Sequence, residues 1–285
     1  TSLCIFSERI ARLENLEDCV ALTSLSVRKN LISRIEGLET LRNLERLELY
    51  DNRIAVIEGL EQLTALRVLD LSYNNIRRIE GLGSLTRLRT LYLLSNRLRR
   101  IEGLNALAEL EELELGANKL EIIENLECLP SLRILVLARN RIARIDGLAH
   151  FHALRSLNLS CNRLTRVAGL ETLVGLEELL LAENALERIE GLEHNCLLQL
   201  LDLSHNRIRR IEGLDAQTRL EDLWLSSNAL ENFADLDPLR AMPLLRTVYL
   251  NGCPVSRMPG YRQHLLAHCP FLTQIDSYQT RPPAP

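Results

Sequence analysis

Residues 88–109 read LRTLYLLSNRLRRIEGLNALAE, a phrase of 22 residues that decides the fold because it returns along nearly the whole chain. Its first part follows L-x-x-L-x-L-x-x-N, and its remainder follows N-x-I-x-x-I-E-G-L-x-x-L with aliphatic substitutions. The asparagine that joins the two parts recurs as Asn30, Asn52, Asn74, Asn96, Asn118, Asn140, Asn162, Asn184, Asn206 and Asn228. A fixed period of this length means stacked supersecondary units, because one unit cannot bury its own apolar face and each neighbour must cover the last.

The pattern is that of a leucine-rich repeat. In L-x-L the leucines point inward and the middle residue points outward on a short strand. The expected fold class is therefore an α/β solenoid. This is a leucine-rich-repeat superhelix with a concave parallel β-sheet, short helical or 3-10 convex segments and a C-terminal cap. Residues 1–250 are expected to hold about twelve repeats, the first truncated and the last spacing lengthened, with the cap and a short tail over 251–285. Leu3-Cys4-Ile5 already lies in strand phase, so a further N-terminal segment is expected to precede Thr1.

Aromatic residues make up 4% of the chain and hydrophobic residues 46%, which fits a core of interdigitating Leu and Ile and leaves most rings free for other work. No apolar run approaches membrane-spanning length. Seven cysteines are scattered without a C-x-x-C pair, so a reducing compartment is the simpler reading. An enzyme is not expected, since the chain offers no Gly-rich phosphate loop and no nucleophile, base and orienting group in a shared constellation. His264 and His268 stand four apart with Cys269 next, but a third metal ligand is not evident at helical spacing. No metal or cofactor is expected.

The repeated asparagine should hydrogen-bond backbone groups where the chain leaves each strand, forming a ladder between neighbours. Gly103 and its equivalents mark a turn at positive φ, with Asn15 and Asn125 as the residues best able to substitute. Arg12, Arg34, Arg78, Arg100, Arg144, Arg166, Arg188 and Arg210 form a row accompanied by Glu or Asp two residues later in nearly every case. This row reads as a solvated ladder of alternating charge rather than an anion-binding stripe, in keeping with a net charge of −4.

Recognition should fall on the middle residue of L-x-L, which nothing in the core dictates. That column reads Cys4, Ser26, Glu48, Asp70, Tyr92, Glu114, Val136, Asn158, Leu180, Asp202, Trp224 and Tyr249. Glu112, Glu178 and Asp222 adjoin it. Aromatics among carboxylates indicate a protein interface for a basic partner. Trp224, the single tryptophan, is the sharpest residue, with sideways packing on Tyr249 and Leu180 as the alternative role. Direct nucleic-acid binding would want a basic face carrying these rings, and this one is acidic.

After Asn228 the period breaks, and Thr247-Val-Tyr-Leu250 arrives 25 residues after the preceding strand phrase. The added residues are expected to lengthen a helix, with Asp237 as its N-cap and Pro238 in its first turn. Residues 259–276 read as an amphipathic helix and a final strand-like turn, a terminal cap.

The phrase LEDLWL at 220–225, followed by LENFADL at 230–236 and TVYL at 247–250, resembles the C-terminal part of the leucine-rich-repeat regulatory subunits of protein phosphatase 1. The resemblance covers essentially the whole chain. It implies a non-catalytic regulator, monomeric on its own, in nucleus and cytoplasm. Such a regulator binds the protein phosphatase 1 catalytic subunit through its concave face and controls its activity, biogenesis or holoenzyme assembly. A ternary complex with a small phosphatase inhibitor is also implied. Carried over by position, the family's contact residues fall on Asp70, Tyr92, Glu114, Asp202, Asp222, Trp224 and Tyr249, with Glu48 and Val136 in the same column. Val136 departs from the family, where a bulky aromatic is expected. A scaffold of another complex, ribonucleoprotein or microtubule and axonemal, shares the repeat and stays open at this point.

Overall fold

The structure is a computed structural model that describes residues 1–280. The expected tail beyond Thr280 lies outside the described residues. Two compact units are present, Thr1–Arg141 and Ile142–Pro285. Unit 1 carries β1 (Ser2–Cys4), β2 (Ser24–Ser26), β3 (Arg46–Glu48), β4 (Val68–Asp70), β5 (Thr90–Tyr92), β6 (Glu112–Glu114) and β7 (Ile134–Val136). Each pairs in parallel with the next, and the register repeats the sequence period, Leu47 facing Leu69 and Leu69 facing Leu91. Unit 2 carries β8 (Ser156–Asn158), β9 (Glu178–Leu180), β10 (Leu200–Asp202), β11 (Asp222–Trp224) and β12 (Thr247–Tyr249), paired in the same way. Each unit is thus a leucine-rich-repeat solenoid with its parallel sheet on one face.

Three-residue strands suffice because only the central residue of each needs burying on the core side. Leu69, Leu91 and Leu113 in unit 1 and Leu179, Leu201 and Leu223 in unit 2 are fully buried. The return segments pack Ile and Leu behind them through consecutive i→i+3 turns, as where the N–H of Leu63 donates to Leu60 and that of Leu66 to Leu63, both at 3.0 Å. Two positions in unit 2 break the apolar register: Asn195 and Gln217 fall in the column of Leu63 and Leu85. Both are buried, and each donates its amide to a carbonyl of the preceding repeat, Asn195 to Leu170 at 3.0 Å and Gln217 to Leu192 at 2.6 Å.

The asparagine column forms the expected ladder. Asn96 Oδ1 accepts the N–H of Ile76 at 3.0 Å, while its Nδ2 donates to Leu71 O at 2.9 Å and Leu93 O at 3.2 Å. One side chain thereby ties its own strand exit to that of the repeat before it. The last repeat puts Cys253 in this column, and its buried thiol takes both roles, donating to Leu225 O at 3.2 Å and accepting from Asn228 N at 3.3 Å.

Immediately before each ladder residue the backbone is left-handed, whatever the side chain. Lys29, Asp51, Tyr73, Ser95, Ala117, Arg139, Cys161, Glu183, His205 and Ser227 all have φ between 51° and 57°. An L-residue there costs about 1–2 kcal/mol. The turn is held because the same residue donates its N–H across to the next strand exit, as Ala117 does to Ala138 O at 2.8 Å. At the second turn the expected glycine has a steric reason, since a Cβ on Gly213 would stand 2.6 Å from Ile189 O. Asn125 at the equivalent turn has φ 57° and uses its amide to donate to Ile101 O at 2.8 Å.

The break after Asn228 corrects one expectation. Phe233–Ala241 is a 3-10 helix preceded by Asn232, with Pro238 inside it. Asp235, not Asp237, closes its start, accepting the N–H groups of Asn232 at 2.9 Å and Glu231 at 3.1 Å. The buried residues Leu236 and Leu239 are three apart, which matches three residues per turn and favours 3-10 over α geometry. A second 3-10 turn, Pro254–Arg257, leads into α1 (Tyr261–His268). β13 (Gln274–Ile275) then adds in parallel to β12, and β14 (Tyr278–Gln279) folds back antiparallel on β13, closing the exposed edge. Asp276 caps the last repeat by accepting from Leu250 N at 2.7 Å and Asn251 N at 2.8 Å.

Two substitutions separate the ladder from the strain beside it. Asn96→Ala, leaving the buried N–H of Ile76 unsatisfied while Leu71 O and Leu93 O keep only the amides of Asn74 and Asn118, should lower stability by roughly 1–3 kcal/mol. Ala117→Gly relieves the left-handed turn and should raise stability by roughly 0.5–1 kcal/mol after the extra chain entropy of glycine is counted. Urea unfolding followed by circular dichroism reads both, and changes of the opposite sign would contradict this account.

Candidate protein-binding face

On unit 1 the outward column of the strands brings Glu48, Asp70, Tyr92, Glu114 and Val136 into direct register, each opposite the next. Their side chains are not all free. Asp70, only 8% exposed, accepts the N–H of Ser72 at 3.0 Å. Glu48 is held by Arg28 at 2.9 Å and by Arg46 at 3.4 Å. Tyr92 donates its hydroxyl to Glu112 at 3.1 Å, and burial together with that carboxylate pushes its pKa up to about 12. Glu114 accepts from Gly116 N at 2.6 Å. Its carboxyl is nevertheless pushed up to about 7, because burial outweighs that hydrogen bond and Glu112 repels the charged form.

Further along the same strand exits, outside the column singled out from sequence, Tyr50 and Tyr73 pack with ring centroids 4.9 Å apart, and the Arg28 guanidinium lies 6.0 Å from the Tyr50 ring centre. Tyr73 is 44% exposed. The signal for this patch was present in the sequence as two tyrosines one repeat apart at successive offsets after L-x-L, Tyr50 at the first and Tyr73 at the second.

On unit 2 the column is Asn158, Leu180, Asp202, Trp224 and Tyr249, again in register. Asn158 and Asp202 repeat the role of Asp70, accepting Ser160 N at 3.0 Å and Ser204 N at 2.9 Å. Trp224 meets Tyr249 edge to face at 5.9 Å and 82°. The sideways packing on Tyr249 is therefore real, yet the buried indole N–H of Trp224 has no acceptor among the described residues. Tyr249 is fixed in turn by the cap, its hydroxyl accepting from Gln274 Nε2 at 2.6 Å. Asp222 projects on the same face one residue before Leu223, and its carboxylate makes no ion pair or side-chain hydrogen bond among the described residues.

The arginine row lies elsewhere and pairs between repeats: Arg34 with Glu58 at 2.8 Å, Arg78 with Glu102 and Arg100 with Glu124 at 3.1 Å, and Arg188 with Glu212 at 2.7 Å. The arginine reaches the acid of the following repeat rather than its own, except at Arg144, which meets Asp146 at 3.3 Å, and at Arg210, where Ala234 takes the place of that acid. In unit 2, His264 stacks between Phe233 at 4.4 Å and His268 at 4.2 Å, and its proton affinity is lowered by burial and by His268. Among the described residues no cluster of metal-ligating side chains forms, and no helix is long and apolar enough to cross a membrane.

Glu114 gives this face a defined response to pH. Its pKa in the folded chain lies at about 7 against an ordinary 4.5, so between those values the folded chain holds a proton that the unfolded chain has released. Stability from this group is full below 4.5 and is lost as pH rises through about 7. Glu114→Gln keeps an oxygen for Gly116 N–H and removes the titration. The variant should therefore gain on the wild type by ~3 kcal/mol as pH rises across that interval, read from urea midpoints at a series of pH values. A difference between the two proteins that stays constant with pH would contradict the assignment.

Family models described as "Leucine Rich repeats (2 copies)" match residues 42–84, 64–106 and 130–172, while others described as "Leucine rich repeat" and "Leucine-rich repeat" match residues 86–142 and 179–281. No curated protein matches the chain. Among solved structures, an internalin (inlF) from Listeria monocytogenes superposes with TM-score 0.75 at 26% identity, covering 98% of this chain and 87% of its own. A leucine-rich-repeat protein of Leptospira interrogans gives 0.72 at 23%, covering 90% and 72%, a likeness of fold alone. The LRIM1/APL1C complex gives 0.71 at 25%, covering 88% of this chain and 48% of that one. None of the matched models is catalytic. With the strand phrase, the asparagine ladder and the family models in agreement, the chain belongs to the leucine-rich-repeat family, a scaffold suited to binding other proteins.

Proposed function

We propose that this chain is a non-catalytic regulatory subunit whose strand face binds the catalytic subunit of Ser/Thr protein phosphatase 1 and controls its activity, biogenesis or holoenzyme assembly. The observation that carries the reading is the group formed by Asp222, Trp224 and Tyr249 on unit 2. A half-buried indole with an unsatisfied N–H stands beside a carboxylate that has no partner among the described residues. This group falls within the phrases at 220–225 and 247–250 whose resemblance names the phosphatase regulators. The matched family models describe the repeat itself, so the partner is argued from this group and those phrases.

Trp224 acts as the anchor. A protein acceptor reaching its N–H would satisfy a group that otherwise stays unpaired, and tryptophan in a desolvated setting dominates interface energetics. Asp222 attracts and orients basic side chains of the partner, governing encounter and register more than final affinity. Tyr92 and Tyr249 add contact area at small entropic cost, since Glu112 and Gln274 already hold their hydroxyls. Asp70, Asp202 and Glu114 contribute less free charge than their count implies, because each also caps a backbone N–H. The proposal includes residence in nucleus and cytoplasm and a ternary complex with a small phosphatase inhibitor. Seven cysteines without a C-x-x-C pair fit the reducing setting.

Calorimetry with purified protein phosphatase 1 catalytic subunit, metal-loaded and metal-stripped, should give tight binding by the wild type. Trp224→Ala should weaken it by ~2–4 kcal/mol. Asp222→Asn should lose less, chiefly at low salt and in the association rate. An unchanged affinity in Trp224→Ala would remove the face from the interface. Absence of binding by folded wild type to either form of the phosphatase would overturn the partner and favour the other scaffolds.

A further inference from the structure

A second set of basic residues lies beside the ion-paired row of unit 1. Arg77 and Arg99 immediately precede Arg78 and Arg100, while Arg97 and Lys119 directly follow the ladder residues Asn96 and Asn118. The inward residue between Arg97 and Arg99 is the fully buried Leu98, which leaves the two guanidinium groups outside on either side of it. Together Arg77, Arg97, Arg99 and Lys119 line a cleft of about 460 Å³. All four are exposed, and none makes an ion pair or a side-chain hydrogen bond among the described residues. Arg78 and Arg100, one position on, each hold a glutamate at 3.1 Å.

The contrast is the informative point. In unit 1 the row arginines Arg12, Arg34, Arg78 and Arg100 each hold a glutamate of the following repeat, but these four cations share a cleft without a carboxylate partner among the described residues. The set also ends sharply: Ala55 takes the position of Arg77 one repeat earlier, and Glu121 takes that of Arg99 one repeat later, where Arg141 lies 3.8 Å from it. We propose that this cleft binds the phosphate group of a phosphorylated protein segment. Neighbouring repeats stand about 5 Å apart, so side chains from successive repeats can reach one phosphate together. Guanidinium forks match a phosphate dianion bidentately, and a dianion neutralises more of the local charge than one carboxylate. No aromatic residue lines the cleft, which removes the stacking platform single-stranded nucleic acid needs. Three repeats are too short a basic track to follow a duplex backbone. The site uses none of the residues proposed to bind the phosphatase, so the two readings stand or fall separately.

The test is fluorescence anisotropy at physiological salt with a labelled phosphoserine peptide, its unphosphorylated form and inorganic phosphate as competitor. The phosphopeptide should bind at least ~10-fold more tightly than the serine peptide. Arg97→Glu combined with Arg99→Glu should abolish that difference with an unchanged melting temperature. Arg97→Lys with Arg99→Lys should retain part of it, because charge persists while the forks are lost. If the charge reversal disturbs folding, Arg77→Gln with Lys119→Gln provides the same reading at lower perturbation. Arg188→Glu, in the paired row of unit 2, should leave binding unaltered. Equal affinity for both peptides, phosphopeptide binding unaffected by the variants, or inorganic phosphate binding as tightly as the peptide would each overturn the proposal.

Discussion

The asparagine amide at each strand exit is the interaction on which the rest of the structure depends. A three-residue strand satisfies few backbone groups, and the chain must turn sharply after it without water on the core side. Asn74 shows how one side chain resolves this, accepting Ile54 N at 2.9 Å and donating to Leu49 O and Leu71 O at 3.0 Å. The tight turn forces the preceding residue into the left-handed region, where ten side chains of unrelated character are tolerated and none is β-branched. That omission is physical, since branching at Cβ worsens the clash that makes positive φ costly.

The same turn explains why the outward strand column is only partly available for recognition. The N–H two residues beyond the column position lies within reach of a short acceptor, and Asp70, Asn158 and Asp202 all take it. Glu114 reaches the same N–H with a longer side chain and becomes buried in doing so. At Asp70, Glu114 and Asp202 the carboxylate therefore stabilises the turn first and contributes to the surface potential second, whereas Glu48 is held by Arg28 and Arg46 instead. Asp222, in the adjoining column, is not positioned to cap a turn, and its charge is left to solvent or to a partner.

Strand positions, core faces, the ladder and the Arg–Glu row were legible because each is a repeated local constraint: a side chain that must be apolar, amidic or paired shows itself at every period. The residues that were not legible act once. Asp235 in place of Asp237 as the closing acid, Asn195 and Gln217 inside the core, and Cys253 mimicking a ladder amide all depend on a contact particular to one repeat. The left-handed column is not legible either, because its signal is the absence of Val, Ile and Thr rather than the presence of any residue. The column of the binding face was legible as a list but not as a hierarchy, since sequence does not distinguish a carboxylate that caps a turn from one that faces outward.

Trp224 shows how a cap at the end of a repeat stack can prepare a surface. β13 extends the sheet past Tyr249, and Gln274 on β13 holds the Tyr249 hydroxyl while also donating to Asp276 O at 3.0 Å. Asp276, tied to Leu250 and Asn251, locks that corner to the last repeat. The Tyr249 ring is thereby fixed before any partner arrives, and it presents a rigid wall against which the indole packs edge to face. Fixing both rings removes the entropy that would otherwise be lost on binding. The cost retained is one buried N–H without an acceptor among the described residues. The edge-to-face contact joins two neighbouring repeats, while the indole N–H gains nothing from that contact, and an acceptor for it is what the proposed partner would supply.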